Sequence, residues 1–167
     1  MNHLAHALLS GSDSDLRIGG FMGDFVRGGI DPGLRSGIRQ GIALHRAIDT
    51  HTDHHVEIRA LRRLFAPPYR RYAGILIDIW FDHLLARDFQ RWSEVPLDRF
   101  SNELLEMLQV RAEELPGSLQ RFTTYMHARR LPAASVTCVP GVGLGGGRAL
   151  LSLADCFAWR ANRGSSP

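Results

Sequence analysis

The sequence predicts an all-α fold, and three observations carry that reading. From the first residues to about position 130, apolar side chains recur at three- and four-residue intervals, the spacing of one helix face. No stretch in that range alternates apolar and polar residues as a half-buried strand does. The interruptions fall at Gly28-Gly29, Pro67-Pro68, Pro96 and Pro116-Gly117, residue types that end helices.

Residues 2–9 are mostly apolar and helix-compatible, and a polar Ser10-Gly11-Ser12-Asp13-Ser14 turn follows them. A second helix is expected over "LRIGGFMGDFVRGG", with Leu16, Phe21, Phe25 and Val26 on one face and a stop at Gly28-Gly29. Helical spacing resumes with Leu34, Ile38, Ile42, Ala43 and Ile48, and continues through Val56, Leu61, Leu64 and Phe65 to the two prolines. The next segment, "YRRYAGILIDIWFDHLLARDFQRW", is apolar almost all round through its middle, the pattern of a central buried helix. "LDRFSNELLEMLQVRAEEL" is amphipathic, and a last helix is expected from Gly117 to about Arg130.

The chain has 167 residues, 44% hydrophobic and 22% charged, which suits one soluble domain with a single core. No apolar run approaches the ~20 residues needed to span a bilayer. The first residues lack the basic start of a signal peptide, and Cys138 and Cys156 make no disulfide framework, so a cytoplasmic, reducing setting is expected. All twenty basic residues are arginine, the side chain suited to bidentate pairing with phosphate and carboxylate. The net charge of +3 and the lack of a long basic run argue against nucleic acid as partner.

Residues 1–130 read as a helical body and residues 131–167 as a Gly-rich tail, expected to pack poorly and to be dispensable for the fold. Within the tail, "GVGLGG" matches the dinucleotide fingerprint G-x-G-x-x-G at Gly141, Gly143 and Gly146. That motif has meaning only between a strand and a helix of a βαβ unit. A helical body offers no such setting, so the match is read as coincidental.

Chemistry gathers in the body. "LHRAIDTHTDHH", residues 44–55, places four histidines and two aspartates in twelve positions. His45, Asp49 and Asp53 follow one another at i+4 and share a helix face. Asp78 and Asp82 repeat that spacing in the apolar central segment, with His83 adjacent; Asp24 and His6 also sit among apolar neighbours. Each alone reads as a satisfied core residue or a cap. Four segments that each place a His or Asp in an apolar setting point further, since a buried carboxylate is costly unless paired or metal-bound. Mixed imidazole and carboxylate ligands without cysteine suit Mn, Fe or Mg better than a structural zinc site. His54 and His55 lie beyond the row and are expected to be exposed; His51 fits either setting. Arg59, Arg62 and Arg63 at i, i+3 and i+4, followed by Arg70 and Arg71, form a basic face that is either solvated or a docking face.

Four motifs in order, "MNHLAH", "GDFVRG", "LHRAID…TD" and "IDIWFDHLLARDF", resemble the acyl carrier protein phosphodiesterase (acyl carrier protein hydrolase) family over about residues 1–130. The resemblance implies a distorted HD-domain-like helical bundle that depends on a divalent metal, Mn²⁺ foremost with Mg²⁺ or Fe²⁺ as alternatives. It also implies hydrolysis of the phosphodiester joining 4'-phosphopantetheine to a serine of holo-acyl carrier protein. Position by position it implicates His6, Asp24, His45, Arg46, Asp49, Asp78, Asp82 and His83. His6, Asp24, His45, Asp49 and Asp78 then form the metal set, with Asp24 also placed in catalysis. Arg46, or Arg27, shares the phosphoryl charge, and Asp82 or His83 protonates the leaving oxygen or orients water. The face from Arg59 to Arg71 steers a small acidic carrier protein. The segment after about residue 130 departs from the family, as a lineage-specific ending or a shifted reading frame. The competing functions are an HD-like phosphohydrolase of a nucleotide or small phosphoester, and a non-catalytic helical protein that binds acyl carrier protein.

Overall fold

The computed structural model describes residues 3–128. Among them the regular structure is helical throughout: α1 (His3–Leu9), α2 (Ser14–Met22), α3 (Ser36–His54), α4 (Val56–Arg63), α5 (Ala73–Arg87), α6 (Leu97–Val110) and α7 (Gly117–Ala128). Short 3-10 turns at Tyr69–Tyr72, Phe89–Arg91 and Ala112–Glu114 link the later helices. The all-α expectation holds. No helix among the described residues is long and apolar enough to cross a membrane. Both cysteines, the GVGLGG run and the tail from 131 lie outside the described residues.

Two boundaries differ from the periodic reading. Asp13 caps α2 by accepting from the Leu16 amide at 2.9 Å, but the helix ends at Met22, so Asp24 and Phe25 lie in a turn and Val26 just past it. The amides of Phe25 and Val26 both reach back to the Met22 carbonyl, at 2.8 and 2.9 Å. Their apolar side chains continue the helical spacing, yet the backbone has already turned. The long block from Leu34 to Phe65 is likewise two helices. His55 leaves the helical region (φ −62, ψ 136), and its ring accepts from the Glu57 amide to cap α4.

α2 and α3 form the centre. A Cβ added at Gly19 would sit 2.8 Å from the Gly41 Cα and collide with the Ile38 carbonyl; one added at Gly41 would meet the Gly19 Cα and the Leu16 carbonyl. The two backbones therefore touch, which only a glycine pair permits. Ile18, Phe21 and Met22 of α2 and Ile38 and Ile42 of α3 bury themselves beside this crossing, with Leu4 and Ala7 of α1, Leu104 and Leu108 of α6 and Leu119 of α7. Arg111 fastens the far end: it donates to Asp15 at the start of α2 (2.5 Å) and to Glu114 (2.7 Å).

The expectation that α5 is the central helix is corrected. Ala73, Ile77, Ile79 and Asp82 are buried, but Trp80 is 54% exposed and only Leu85 and Ala86 touch the main core. Open apolar grooves lie on either side, one with α4 (Leu61, Leu64, Phe65) and one with α1 (Leu8, Leu9). An all-round apolar helix needs cover on every face, and the described neighbours of α5 leave Trp80 and the grooves beside it open.

Candidate metal centre

The site begins with His45 on α3, 3% exposed and lying against Gly23, where any Cβ would strike its ring. Because α2 and α3 touch, the His45 Nδ1 reaches the Gly20 carbonyl at 2.7 Å. Gly20 belongs to the last turn of α2, whose carbonyls look outside the helix for donors. Donation from Nδ1 leaves the lone pair of a neutral ring on Nε2. That atom lies 3.2 Å from Asp49 Oδ2, one turn along α3, and 3.8 Å from Asp24 Oδ1.

α1 delivers the second imidazole. His6 is 1% exposed, its ring stacks on that of His45 with centroids 3.7 Å apart, and its Nε2 lies 3.1 Å from Asp49 Oδ1. One ligand atom each from His6, His45 and Asp49 falls within 4.8 Å of the others. Partial burial alone would raise the Asp49 carboxyl, but a proton held between it and the His45 and His6 ring nitrogens outweighs that and keeps the group well below the usual carboxylate range.

A lone pair aimed at a carboxylate is repulsive unless a proton or a cation lies between them. The donor set here is two imidazoles and an anionic carboxylate with a second carboxylate alongside, without thiol, and one ring is already oriented by a backbone carbonyl. A divalent ion fits that set, and the Gly20 bond is the support a ligating histidine normally has on its other nitrogen.

Asp24 borders the cluster from the turn after α2, its Oδ2 3.7 Å from His3 Nδ1. His3 is the residue the sequence reading missed. It is buried, its ring stacks on Phe21 at 5.2 Å, and Phe25 and Phe122 lie close. The available signal was its i, i+3 relation to His6 on a short apolar helix.

The three residues of α5 are not part of that ligand cluster. Asp82, fully buried, directs its carboxylate at the backbone of α1, accepting from the Leu4 and Ala5 amides at 3.1 and 3.2 Å. Burial pushes its carboxyl up to about 7, against the opposing pull of those two amides. Asp78, one turn earlier and half-buried, is outside the three-residue ligand cluster. The His83 ring sits by Trp80, 5.5 Å between centroids. The i,i+4 spacing that aligns His45 with Asp49 aligns Asp78 with Asp82 too, but the face of α5 bearing Asp82 meets the start of α1.

Arg46 donates through Nη2 to the Val26 carbonyl at 3.1 Å, fastening the turn that carries Asp24. On the expected basic face, Arg59, Arg63, Arg70 and Arg71 are exposed, with Arg71 over the Tyr72 ring. Arg62 is partly buried and pairs with Asp53 at 2.5 Å. His51, His54 and His55 are exposed.

A family model described as acyl carrier protein phosphodiesterase matches residues 1–135. Among relatives bearing that name, the protein of Pectobacterium atrosepticum is 32% identical over 131 residues, 78% of this chain and 68% of the relative. That of Klebsiella pneumoniae is 34% identical over 132 residues, with the same shares of both chains. That of Escherichia coli O6:H1 is 36% identical over 123 residues, 73% of this chain and 62% of the relative. No solved structure matches.

Proposed function

The chain belongs to the acyl carrier protein phosphodiesterase family, and from that membership we propose that it removes 4'-phosphopantetheine from the serine of holo-acyl carrier protein. The products are apo-carrier protein and free phosphopantetheine. In this reading residues 1–130 are a cytoplasmic hydrolase body, and its centre is a distorted HD-type site. His6, His45 and Asp49 hold a divalent ion, with Asp24 completing the set. The observation that carries the reading is the His45 ring, oriented by Gly20 so that its Nε2 faces Asp49 and Asp24.

Two imidazoles beside carboxylates suit Mn²⁺ or Fe²⁺ better than Mg²⁺, which favours oxygen ligands and bound water. When bound, such an ion supplies a Lewis acid for the phosphoryl oxygens and lowers the pKa of a water. The remaining work belongs to the chain. Asp24, between His45 and His3, takes the proton of the attacking water on a carboxylate oxygen. Arg46, next to His45 and held by Val26, shares the charge that develops on the phosphoryl oxygens. His83, beside Trp80, and Asp78 are outside the ligand cluster, and this reading gives them no step. Exposed Arg59, Arg63, Arg70 and Arg71 form the docking face for an acidic carrier protein, with Arg62 anchored on Asp53 beneath it.

The test is intact mass of holo-carrier protein incubated with the protein and Mn²⁺. Conversion to the apo form, abolished by His45→Ala and by chelation, is the expected result. Turnover of a free nucleotide with holo-carrier protein left intact would favour the small-phosphoester reading. A stable complex without turnover would favour a binding protein.

A further inference from the structure

α1 has seven residues, two turns of helix, and a helix so short does not hold itself in water. Its opening amides have no partner within the helix. His3, Leu4 and Ala5 are all buried, so water is poorly placed to serve those amides, and an unmet buried amide is strongly destabilising. The partner comes from α5, 78 positions away in sequence. Asp82 Oδ2 accepts from the Leu4 N–H at 3.1 Å and Oδ1 from the Ala5 N–H at 3.2 Å. Both carboxylate oxygens are engaged, at the end of the helix where its dipole favours negative charge. This is the work of an N-cap, performed from another helix.

We propose that Asp82 is a positioning residue of the metal centre: its grip on the Leu4 and Ala5 amides sets the height and rotation of α1, and so places His6 against His45 and Asp49. The proposal rests on the metal reading above and deepens it. His6 follows Ala5 directly. Its ring must stack on His45 at 3.7 Å while its Nε2 stays 3.1 Å from Asp49, a fit that a slide of one ångström along α1 would break. The other end of the helix is closed locally, where the Ser10 hydroxyl donates to the His6 carbonyl at 2.8 Å. That contact limits fraying but cannot fix α1 relative to α5. A carboxyl group is needed because two donors converge on it, and both of its oxygens carry lone pairs whether or not it is ionised. An amide of the same shape offers one acceptor and turns an NH₂ group toward the second donor.

The test uses the full chain, with Mn²⁺ affinity read from the electron paramagnetic resonance of free Mn²⁺. Asp82→Asn should weaken Mn²⁺ binding about 10- to 100-fold, the scale for loss of a group that orients a ligand. Leu108→Ala, in the core between α6 and its neighbours, should lower the melting temperature while leaving Mn²⁺ affinity within about twofold of the parent. In the parent protein the Leu4 and Ala5 amides should exchange with deuterium as slowly as those of the α2–α3 core. Equal Mn²⁺ affinity in the parent and Asp82→Asn overturns the proposal alone, as does rapid exchange of both amides. If the parent binds no Mn²⁺, the metal reading falls and takes the proposal with it. Should Asp82→Asn not fold, the exchange measurement still decides.

Discussion

α2 and α5 are both apolar helices flanked by aspartates, and they end in opposite situations. Ile18, Phe21 and Met22 of α2 are at most 2% exposed, whereas Trp80 of α5 is 54% exposed and the side chains around it line open grooves. The difference lies in the glycines. Gly19 lets α2 touch α3, Gly20 faces the Ser10 hydroxyl and the His6 carbonyl of the first turn region, and Gly23 admits the His45 ring. α5 has its one glycine, Gly74, in its first turn, and open grooves remain beside its middle. Apolar content governs how much a helix can bury; the spacing of small residues governs how closely a partner can approach. The candidate site lies where the approach is closest, because His45 needs an α2 carbonyl within hydrogen-bond reach.

The strongest test of that contrast is to spoil the seam. Gly41→Val places branched carbon where the Leu16 carbonyl and Gly19 Cα already sit, so α2 and α3 must separate. Loss of about 3 kcal/mol or more in urea unfolding is expected, at or above the usual range for overpacking. The counterpart on α5 is Gly74→Ala, whose added carbon meets only the Arg62 guanidinium at 3.4 Å. It should change stability by no more than about 1 kcal/mol, and a gain is the expected sign. Similar losses in both would dissolve the distinction between the two regions.

Gly23→Ala separates the seam's role in the site from its role in the fold. Gly23 has ordinary helical dihedrals (φ −52, ψ −41), so alanine brings no backbone strain. The atoms nearest to its methyl are those of the His45 ring, so the ring is moved off the Gly20 carbonyl. Turnover of holo-carrier protein should fall about 100-fold, the cost of misplacing a catalytic group by roughly an ångström. The melting temperature should move far less than in Gly41→Val. Undiminished turnover would show that the Gly20–His45 bond does not position the ring.

A pH profile of stability sharpens the contrast from the α5 side. Asp82 titrates at about 7 when folded, above the ordinary carboxyl value of 3.8, because burial disfavours its anion. Its protonated form favours the fold: that contribution is complete below about pH 4 and is lost as pH rises through 7. Asp49 has the opposite sign. Held low by His45 and His6 against its burial, it contributes above about pH 4 and loses that contribution as the medium becomes more acid. Subtracting the Asp82→Asn curve from the parent's should therefore leave a slope of at most ~1.4 kcal/mol per pH unit between pH 4 and 7. The acid limb below pH 4 should be common to both. Parallel curves from pH 4 to 7 would mean that the anion of Asp82, with its two amides, is as welcome in the fold as in water.

These residues also show what a sequence can disclose. His6, Asp24, His45 and Asp49 stood out because polar side chains recur on apolar faces, and α3 places His45 over Asp49 by local geometry alone. Asp78 and Asp82 have the same local geometry, and only the position of α1 directs Asp82 to a backbone instead of the ligand cluster. Gly19, Gly23 and Gly41 carry no local sign of their role, since a close approach is defined by the partner. Phe25 and Val26 kept the helical period beyond Met22, where α2 ends, so periodicity overran the helix. His3 was overlooked because its neighbours in the fold, Phe21, Phe25 and Phe122, are distant in sequence.

The smallest expected effect probes the open face of α5. Trp80 is more than half exposed; its ring meets His83 and borders the groove formed with Leu61, Leu64 and Phe65. Replacing a residue so placed should alter stability by less than about 0.5 kcal/mol, the range of surface substitutions. Trp80→Gln should also reduce self-association, since a contiguous apolar patch on a monomer invites it. A loss of about 2 kcal/mol or more would instead require that this ring be covered in the full chain, for that is the scale of a buried large side chain. Repeating the parent and Trp80→Gln melts on a chain ended after Arg130 locates any such cover. A loss that persists there arises within the helical body, and the contrast between α2 and α5 narrows. A loss that disappears assigns the cover to residues 131–167, and the expectation that the tail is dispensable fails with it.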